Sequence, residues 1–401
     1  MQSPVLKSSE WPAFPKVKVS ARGAKRIKEG HVWVYRSDVA AAEGIAAGAV
    51  VRVCDERGKF LGTAFYSNAS QIAIRLISKE AVSDLNELLR ERVRDAIAYR
   101  ERFVSDTDAY RVVFSEADFL PGLIVDRYND LLSFQVLTQA TDLDAVRQTV
   151  LSELTERLHP AGIGEKVEPK IRELEQLPAR TSGLVQGDKS STIFSMNGVR
   201  FHYDVAEGQK TGAFLDQREN YAVAAKYAQG EALDAFCYHG GFALHLAPHC
   251  SKVTGLDSSR PALEIADRNA VLNGREIEWI EGNAFDVLRD YAKSGQRYDI
   301  VVLDPPAFAK SKRDLDTALR GYKELNLRAL KMLRPGGILV TCSCSYHISA
   351  VNFLAVVAEA ARDARRELRI LETRTQAKDH PILANVPETE YLKCIIAYLS
   401  N

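Results

Sequence analysis

Asp299-Ile-Val-Val-Leu-Asp304-Pro-Pro-Ala-Phe308 is the stretch whose reading decides the fold. Ile300 to Leu303 form an unbroken apolar run, and a strand of that kind has both faces covered. The two prolines cannot continue a ladder, so the strand stops at Asp304 and leaves a carboxylate at its end. Working outward, similar apolar segments recur at 232–236, 252–257, 276–281, 337–343 and 391–399, with helical periodicity between them, notably over 260–272 and 315–333. The latter helix is ended by Arg334-Pro-Gly-Gly. Strand, helix, strand repetition from about Gly198 onward predicts an α/β unit with a doubly wound, mostly parallel sheet. In such a sheet, ligands sit at the carboxyl ends of the strands.

Upstream the texture differs. Lys16-Val-Lys-Val, His31-Val-Trp-Val-Tyr, Ala49-Val-Val-Arg-Val, Phe60-Leu-Gly-Thr-Ala-Phe-Tyr and Gln71-Ile-Ala-Ile-Arg-Leu-Ile alternate with glycines at 23, 30, 48, 58 and 62, which predicts a small all-β unit. A helix is expected over 82–103. A small α+β unit then follows, with strands over 111–114, 122–126 and 131–136 and a helix over 142–158. Three domains result: 1–80, 81–190 and 191–401, in line with a chain of 401 residues, too long for one core.

Lys plus Arg and Asp plus Glu both number 53, so any surface for a polyanion must be local. The first segment supplies one: Lys16, Lys18, Arg22, Lys25, Arg26 and Lys28 against Glu29 alone. It fits equally a solvated face or a phosphate-contacting surface. No apolar run approaches the roughly 18–20 residues of a membrane span, and Met1 to Phe14 lacks a basic start followed by an apolar stretch; a cytoplasmic protein with no membrane partner is expected. Six scattered cysteines, with only Cys342 and Cys344 close together, fit neither a disulfide framework nor a metal clip, so reduced thiols and no metal are expected.

Four strand ends carry the candidate chemistry. Asp234-Ala-Phe-Cys-Tyr-His-Gly-Gly-Phe242 has a glycine pair, Gly240 and Gly241, where backbone can approach a ligand, though alone it reads as a structural turn. Asp257 follows 23 residues after Asp234, placed to accept hydrogen bonds from ribose hydroxyls or to cap the helix after it. Asp304-Pro305-Pro306 presents fixed acceptors. Thr341-Cys-Ser-Cys-Ser345 ends the next strand; period-2 alternation puts Cys342 and Cys344 on one side, with Cys344 farther out, a candidate nucleophile. The polar run 205–220, with Gln209, Lys210, Thr211, Asp216, Gln217 and Arg218, is a loop and helix cap or a lid over a ligand.

Together these segments resemble class I methyltransferases, and more closely the RlmI-type 23S rRNA cytosine-5 methyltransferases. The likeness also takes in His31-Val-Trp-Val-Tyr-Arg-Ser-Asp38 and Phe119-Leu-Pro-Gly-Leu-Ile-Val-Asp126. It implies an N-terminal PUA domain, a central α+β domain and a Rossmann-like catalytic domain. It further implies S-adenosylmethionine as donor, 23S rRNA or a large-subunit precursor as substrate, and a homodimer. Asp304 and Cys344 become the catalytic pair. Cofactor contacts fall to Gln209, Lys210, Thr211, Asp216, Arg218, Asp234, Phe236, Tyr238, Gly240, Gly241, Asp257, Ser258, Asn283, Ala284, Asp304 and Pro305. Asn283 stands where such enzymes often have an aspartate, and no cysteine lies in the Asp-Pro-Pro segment, so another base takes the C5 proton. Two rival readings use the same residues. One is amino-nitrogen methylation of guanine or adenine, with Phe308 stacked on the base; the other is a noncatalytic RNA-binding assembly factor with a degenerate cofactor pocket.

Overall fold

The computed structural model describes residues 14–206, 212–309 and 312–400. The apolar run opening at Tyr298 lies in the middle of a seven-stranded sheet. Its strands in chain order are β1 Glu231–Ala235, β2 Lys252–Asp257, β3 Glu278–Glu281, β4 Tyr298–Leu303, β5 Leu333–Ser343, β6 Leu368–Arg374 and β7 Lys393–Leu399. Their order is β3-β2-β1-β4-β5-β7-β6, parallel except that β7 runs antiparallel to both neighbours. Alternation along β4 divides the core: Ile300 and Val302 pack with Phe242, Leu244 and Ile338 on one face, Val301 and Leu303 with Leu288, Leu325 and Phe353 on the other. Each fully buried aliphatic side chain of this kind contributes roughly 1.5–3 kcal/mol. The helices after β1 are α1 Gly241–Leu246, α2 Arg260–Leu272, α3 Ala284–Ser294, α4 Leu315–Met332 and α5 Ala350–Ala364. Strand order reverses between β1 and β4, and the crevice at their carboxyl ends is the expected ligand site.

Upstream, residues 16–78 form a six-stranded sheet, but the unit is not all β: Ala21–Lys28 is a helix. Ser20 caps it, accepting from the Gly23 N–H at 3.2 Å, and Ala24 and Ile27 face the core. Arg22, Lys25, Arg26 and Lys28 thus decorate a short amphipathic helix, whose two turns were too few to stand out against the strand pattern, while Lys16 and Lys18 lie on the strand before it. The next sheet has five strands rather than three, since Gly162–Glu165 and Gly183–Gly187 pair beside Leu131–Val136. The hairpin Ser191–Met196 and Val199–Asp204 then sends Phe194, Met196 and Phe201 into the core on one face of the seven-stranded sheet.

The segment between β6 and β7 ties the three sheets together. Asp379, fully buried, accepts from the Arg111 backbone N–H at 2.9 Å and from the Arg218 guanidinium at 3.0 Å. Glu388 receives Arg26 at 3.1 Å and meets His31 at 2.9 Å on the N-terminal unit. Among the described residues, no helix is long and apolar enough to cross a membrane.

Candidate active site

At the end of β1, Asp234 is 1% exposed; its Oδ2 accepts from the Ala243 N–H at 2.8 Å, and its Oδ1 has no partner. The loop after it turns through left-handed conformations at Phe236, Tyr238 and Gly240 (φ 68°, 49° and 83°). Only the last is a glycine. Aromatic residues rarely adopt such angles, and the strain is held by the Phe236 and Cys237 N–H groups donating to the Leu256 carbonyl at 2.8 and 3.1 Å. Gly241 is needed for a different reason: a Cβ there would lie 2.5 Å from the Tyr221 ring.

At the end of β2, Asp257 accepts from the Tyr238 N–H at 2.9 Å and the Ser259 N–H at 2.9 Å, so its carboxylate is fixed in place with lone pairs to spare. The helix cap is Ser259, which leaves Asp257 to the crevice. At the end of β4, the Asp304 N–H reaches the Ala235 carbonyl at 3.4 Å, joining the loop to β1. Ser345, buried beyond β5, accepts from the Phe308 and Ala309 N–H groups at 3.1 and 3.3 Å and shares a 3.0 Å hydrogen bond with the Tyr322 hydroxyl. The Asp-Pro-Pro loop and the Cys344 turn are therefore one fastened unit. Cys344 Sγ lies 3.9 Å from the Pro305 carbonyl oxygen.

These four strand ends line one cavity of about 300 Å³, a size typical of small-ligand pockets. Asp216, Asp234, Phe236, Tyr238, Gly241, Asp257, Ser258, Asp304, Pro305 and Cys344 all contribute to its wall; Gly240 sits at the adjoining helix cap. Cys342 does not: it is fully buried opposite Cys394 on β7, and burial raises its thiol pKa well above the usual value. Cys237 does line the cavity, yet burial with the charges of Asp234 and Asp257 raises its thiol as well.

Other candidate positions lie elsewhere. Asn283 caps α3, accepting from the Phe285 N–H at 2.9 Å, and neither it nor Ala284 lines the cavity. The Arg218 guanidinium is consumed by Asp379. Phe308 packs against Phe285 and Tyr322, with ring centroids at 5.8 and 4.8 Å, and lies outside the cavity wall. Gln209, Lys210 and Thr211 lie outside the described residues. On the N-terminal unit Lys16, Lys18, Lys25 and Lys28 are exposed, Arg22 pairs with Asp38 at 2.7 Å, and Arg26 is engaged by Glu388. Gln217 of the polar run also lines the wall, as do Tyr221, His239, Asn269 and Leu392, none of them expected from the sequence. His239 lies in the loop after β1, whereas long-range packing brings Tyr221, Asn269 and Leu392 there, and nothing local in the chain marks them.

The buried polar atoms decide what fits. Asp216 receives the Tyr391 hydroxyl on Oδ2 at 2.6 Å, while its Oδ1, like that of Asp234, is buried without a partner. Two orphan carboxylate oxygens in one pocket suit an ammonium group, and Asp257 beside them suits ribose hydroxyls. The donor set therefore fits S-adenosylmethionine. Burial raises the Asp234 carboxyl well above the ordinary range, opposed by the Ala243 N–H and reinforced by Asp304 and Asp257. A bound ammonium favours the ionised form, so binding releases a proton and affinity falls as pH drops through the Asp234 titration. Calorimetry with S-adenosylhomocysteine in buffers of different ionisation enthalpy should register that release. In Asp234→Asn it should vanish and affinity should drop about tenfold or more.

A PUA-like domain model matches residues 17–79, and a model described as S-adenosylmethionine-dependent methyltransferase matches residues 116–396. "Ribosomal RNA large subunit methyltransferase I" of Tolumonas auensis is 38% identical over 93% of this chain and 96% of its own length. The protein of that name from Shewanella amazonensis is 37% identical over 95% and 98%. Among solved structures, SMU.776 complexed with SAH has a TM-score of 0.83 at 20% identity, covering 96% of this chain and all of that one. An S-adenosylmethionine-dependent methyltransferase from Streptococcus mutans has a TM-score of 0.82 at 20% identity, with 96% of this chain and 100% of that one covered.

Proposed function

The chain belongs to the S-adenosylmethionine-dependent methyltransferase family, among the relatives of ribosomal RNA large subunit methyltransferase I, and from that premise we propose that it methylates carbon 5 of a cytosine in 23S rRNA through a covalent Cys344 adduct. The observation that carries the reading is that Asp304 and Cys344, from neighbouring strands β4 and β5, line the cavity that also holds Asp234 and Asp257. The amino-nitrogen alternative asked Phe308 to stack on the base, and that ring is packed against Phe285 and Tyr322 instead.

Asp234, Asp216 and Asp257 would hold S-adenosylmethionine, which would supply an electrophilic methyl group. Cytosine C5 is a weak nucleophile on its own. Addition of the Cys344 thiolate forms a sulfur–C6 bond and shifts the C5–C6 π pair onto C5, with charge spreading to N3. Asp304 holds the N3 and N4 edge: a proton shared between its carboxyl group and N3 neutralises the charge developing there, while the carbonyls of the proline pair accept from the N4 amine. Once C5 carries the methyl group, a base takes the C5 proton, the double bond re-forms, and the C6–sulfur bond breaks to return the thiolate. The target base must leave any helical stack to enter a cavity of this kind, which gives the N-terminal and central units a task in gripping RNA.

Nucleoside analysis tests the reading. Unmodified 23S rRNA treated with the protein and labelled donor should yield 5-methylcytidine. Label in methylguanosine or methyladenosine would replace this proposal with the amino-nitrogen one.

A further inference from the structure

Lys393 opens β7 and is a partner of Ser343 across the antiparallel ladder with β5. Only 7% exposed, it lies beside the point where β5 ends and the Cys344 turn begins. Its Nζ donates to the Ser345 carbonyl at 2.7 Å and to the Tyr391 carbonyl at 2.8 Å. The side chain thus spans the turn from Ser343 to Ser345, with Cys344 between its two points of attachment. An apolar residue would satisfy a buried strand position at lower cost, since a buried ammonium loses its hydration. Two carbonyls answer part of that cost, and an anion beside it would answer more.

We propose that Lys393 is a positioning residue for the Cys344 nucleophile, pinning the turn that carries the thiol and supplying the positive charge that stabilises its thiolate. The proposal rests on the covalent reading above for the use made of that thiolate. Burial pushes the Lys393 ammonium down to about 8, while Cys344 and Glu390 act to raise it. Around this pair stand Asp304 at the end of β4, Tyr322 on α4, and Glu390 and Tyr391 leading into β7, with Tyr346 two residues beyond Cys344. Burial raises Tyr322 to about 12, with its hydroxyl bonded to Ser345, so it stays neutral. Asp304 and Glu390 are acidic, which leaves Lys393 as the cation of the group.

The test reads the coupling without methyl transfer. Alkylation of Cys344 by iodoacetamide is followed against pH by peptide mass spectrometry in the whole protein and in Lys393→Met and Lys393→Arg, with folding checked by S-adenosylhomocysteine binding. The midpoint for Cys344 should rise by about one pH unit or more in Lys393→Met and by less in Lys393→Arg. Charge coupling is reciprocal, so in Cys344→Ala the Lys393 amine should become acylable by acetic anhydride at a lower pH than in the parent. This second arm decides the matter if Lys393→Met does not fold. Unchanged midpoints, for Cys344 in a folded Lys393→Met or for Lys393 in Cys344→Ala, would overturn the proposal. A Cys344→Ala protein that still methylated cytosine would instead remove the covalent reading while leaving this coupling measurable.

Discussion

Cys344→Ala should lose methyl transfer to 23S rRNA by about three orders of magnitude or more, equivalent to roughly 4 kcal/mol of transition-state stabilisation. Cys342→Ala should keep most of the activity. The contrast follows from position. Both thiols face the same side of the sheet, but Cys342 is fully buried opposite Cys394, whereas Cys344 stands one pleat farther out in the cavity wall beside Pro305. Loss of Cys344 removes one atom at a half-buried surface, so S-adenosylhomocysteine binding and thermal stability should stay near the parent values. The defect should appear in single-turnover transfer. Parent-like transfer by Cys344→Ala would end the covalent route.

Asp304→Ala should lower single-turnover transfer by about 10²–10³, or roughly 3–4 kcal/mol, the range found when one preorganised charge-stabilising group is removed. The carboxylate ends an apolar strand, is tied through its backbone to Ala235, and is followed by two prolines that fix its direction. Asp304→Asn retains the size and one acceptor, but an amide cannot pass a proton to N3 as negative charge develops there. It should therefore bind S-adenosylhomocysteine within a few-fold of the parent and still transfer the methyl group slowly. Equal losses in binding and transfer would make Asp304 a cofactor contact alone.

The catalytic sheet was legible in the chain because its central strands are buried on both faces. An apolar run such as Ile300 to Leu303 suits little besides a strand covered on both sides, and the limits of 252–257, 260–272 and 131–136 were read to the residue. β6 was not read, because an edge strand carrying Arg369, Glu372 and Arg374 has the composition of a solvated loop. The strand Gly162–Glu165 escaped for another reason: two glycines in four residues give almost no propensity signal, and its burial comes wholly from its neighbours.

The site divides in the same way. Asp234, Asp257, Asp304 and Cys344 stand out as candidates because they end apolar strands, where ligands bind in an open α/β sheet, and the structure sets all four on one cavity wall. The loop after Asp234 has no glycine before Gly240 because Phe236 and Tyr238 take left-handed angles that glycine usually supplies. Asn283 misled, since an asparagine after a strand serves as well for a helix cap as for a ligand contact. Lys393 and Tyr391 carry no local signal at all. Their places depend on β7 running back beside β5, a pairing between residues about 50 positions apart.

The most direct measurement is a trapped intermediate. RNA containing 5-fluorocytidine at the target offers a C5 substituent that cannot leave as a cation, so an adduct formed at C6 has no route to eliminate the thiolate. Incubation with the protein and S-adenosylmethionine should give a stable protein–RNA complex, with the nucleotide mass on the peptide bearing Cys344 and none in Cys344→Ala. No complex from a preparation that methylates ordinary rRNA, or a complex at another cysteine, would contradict the account.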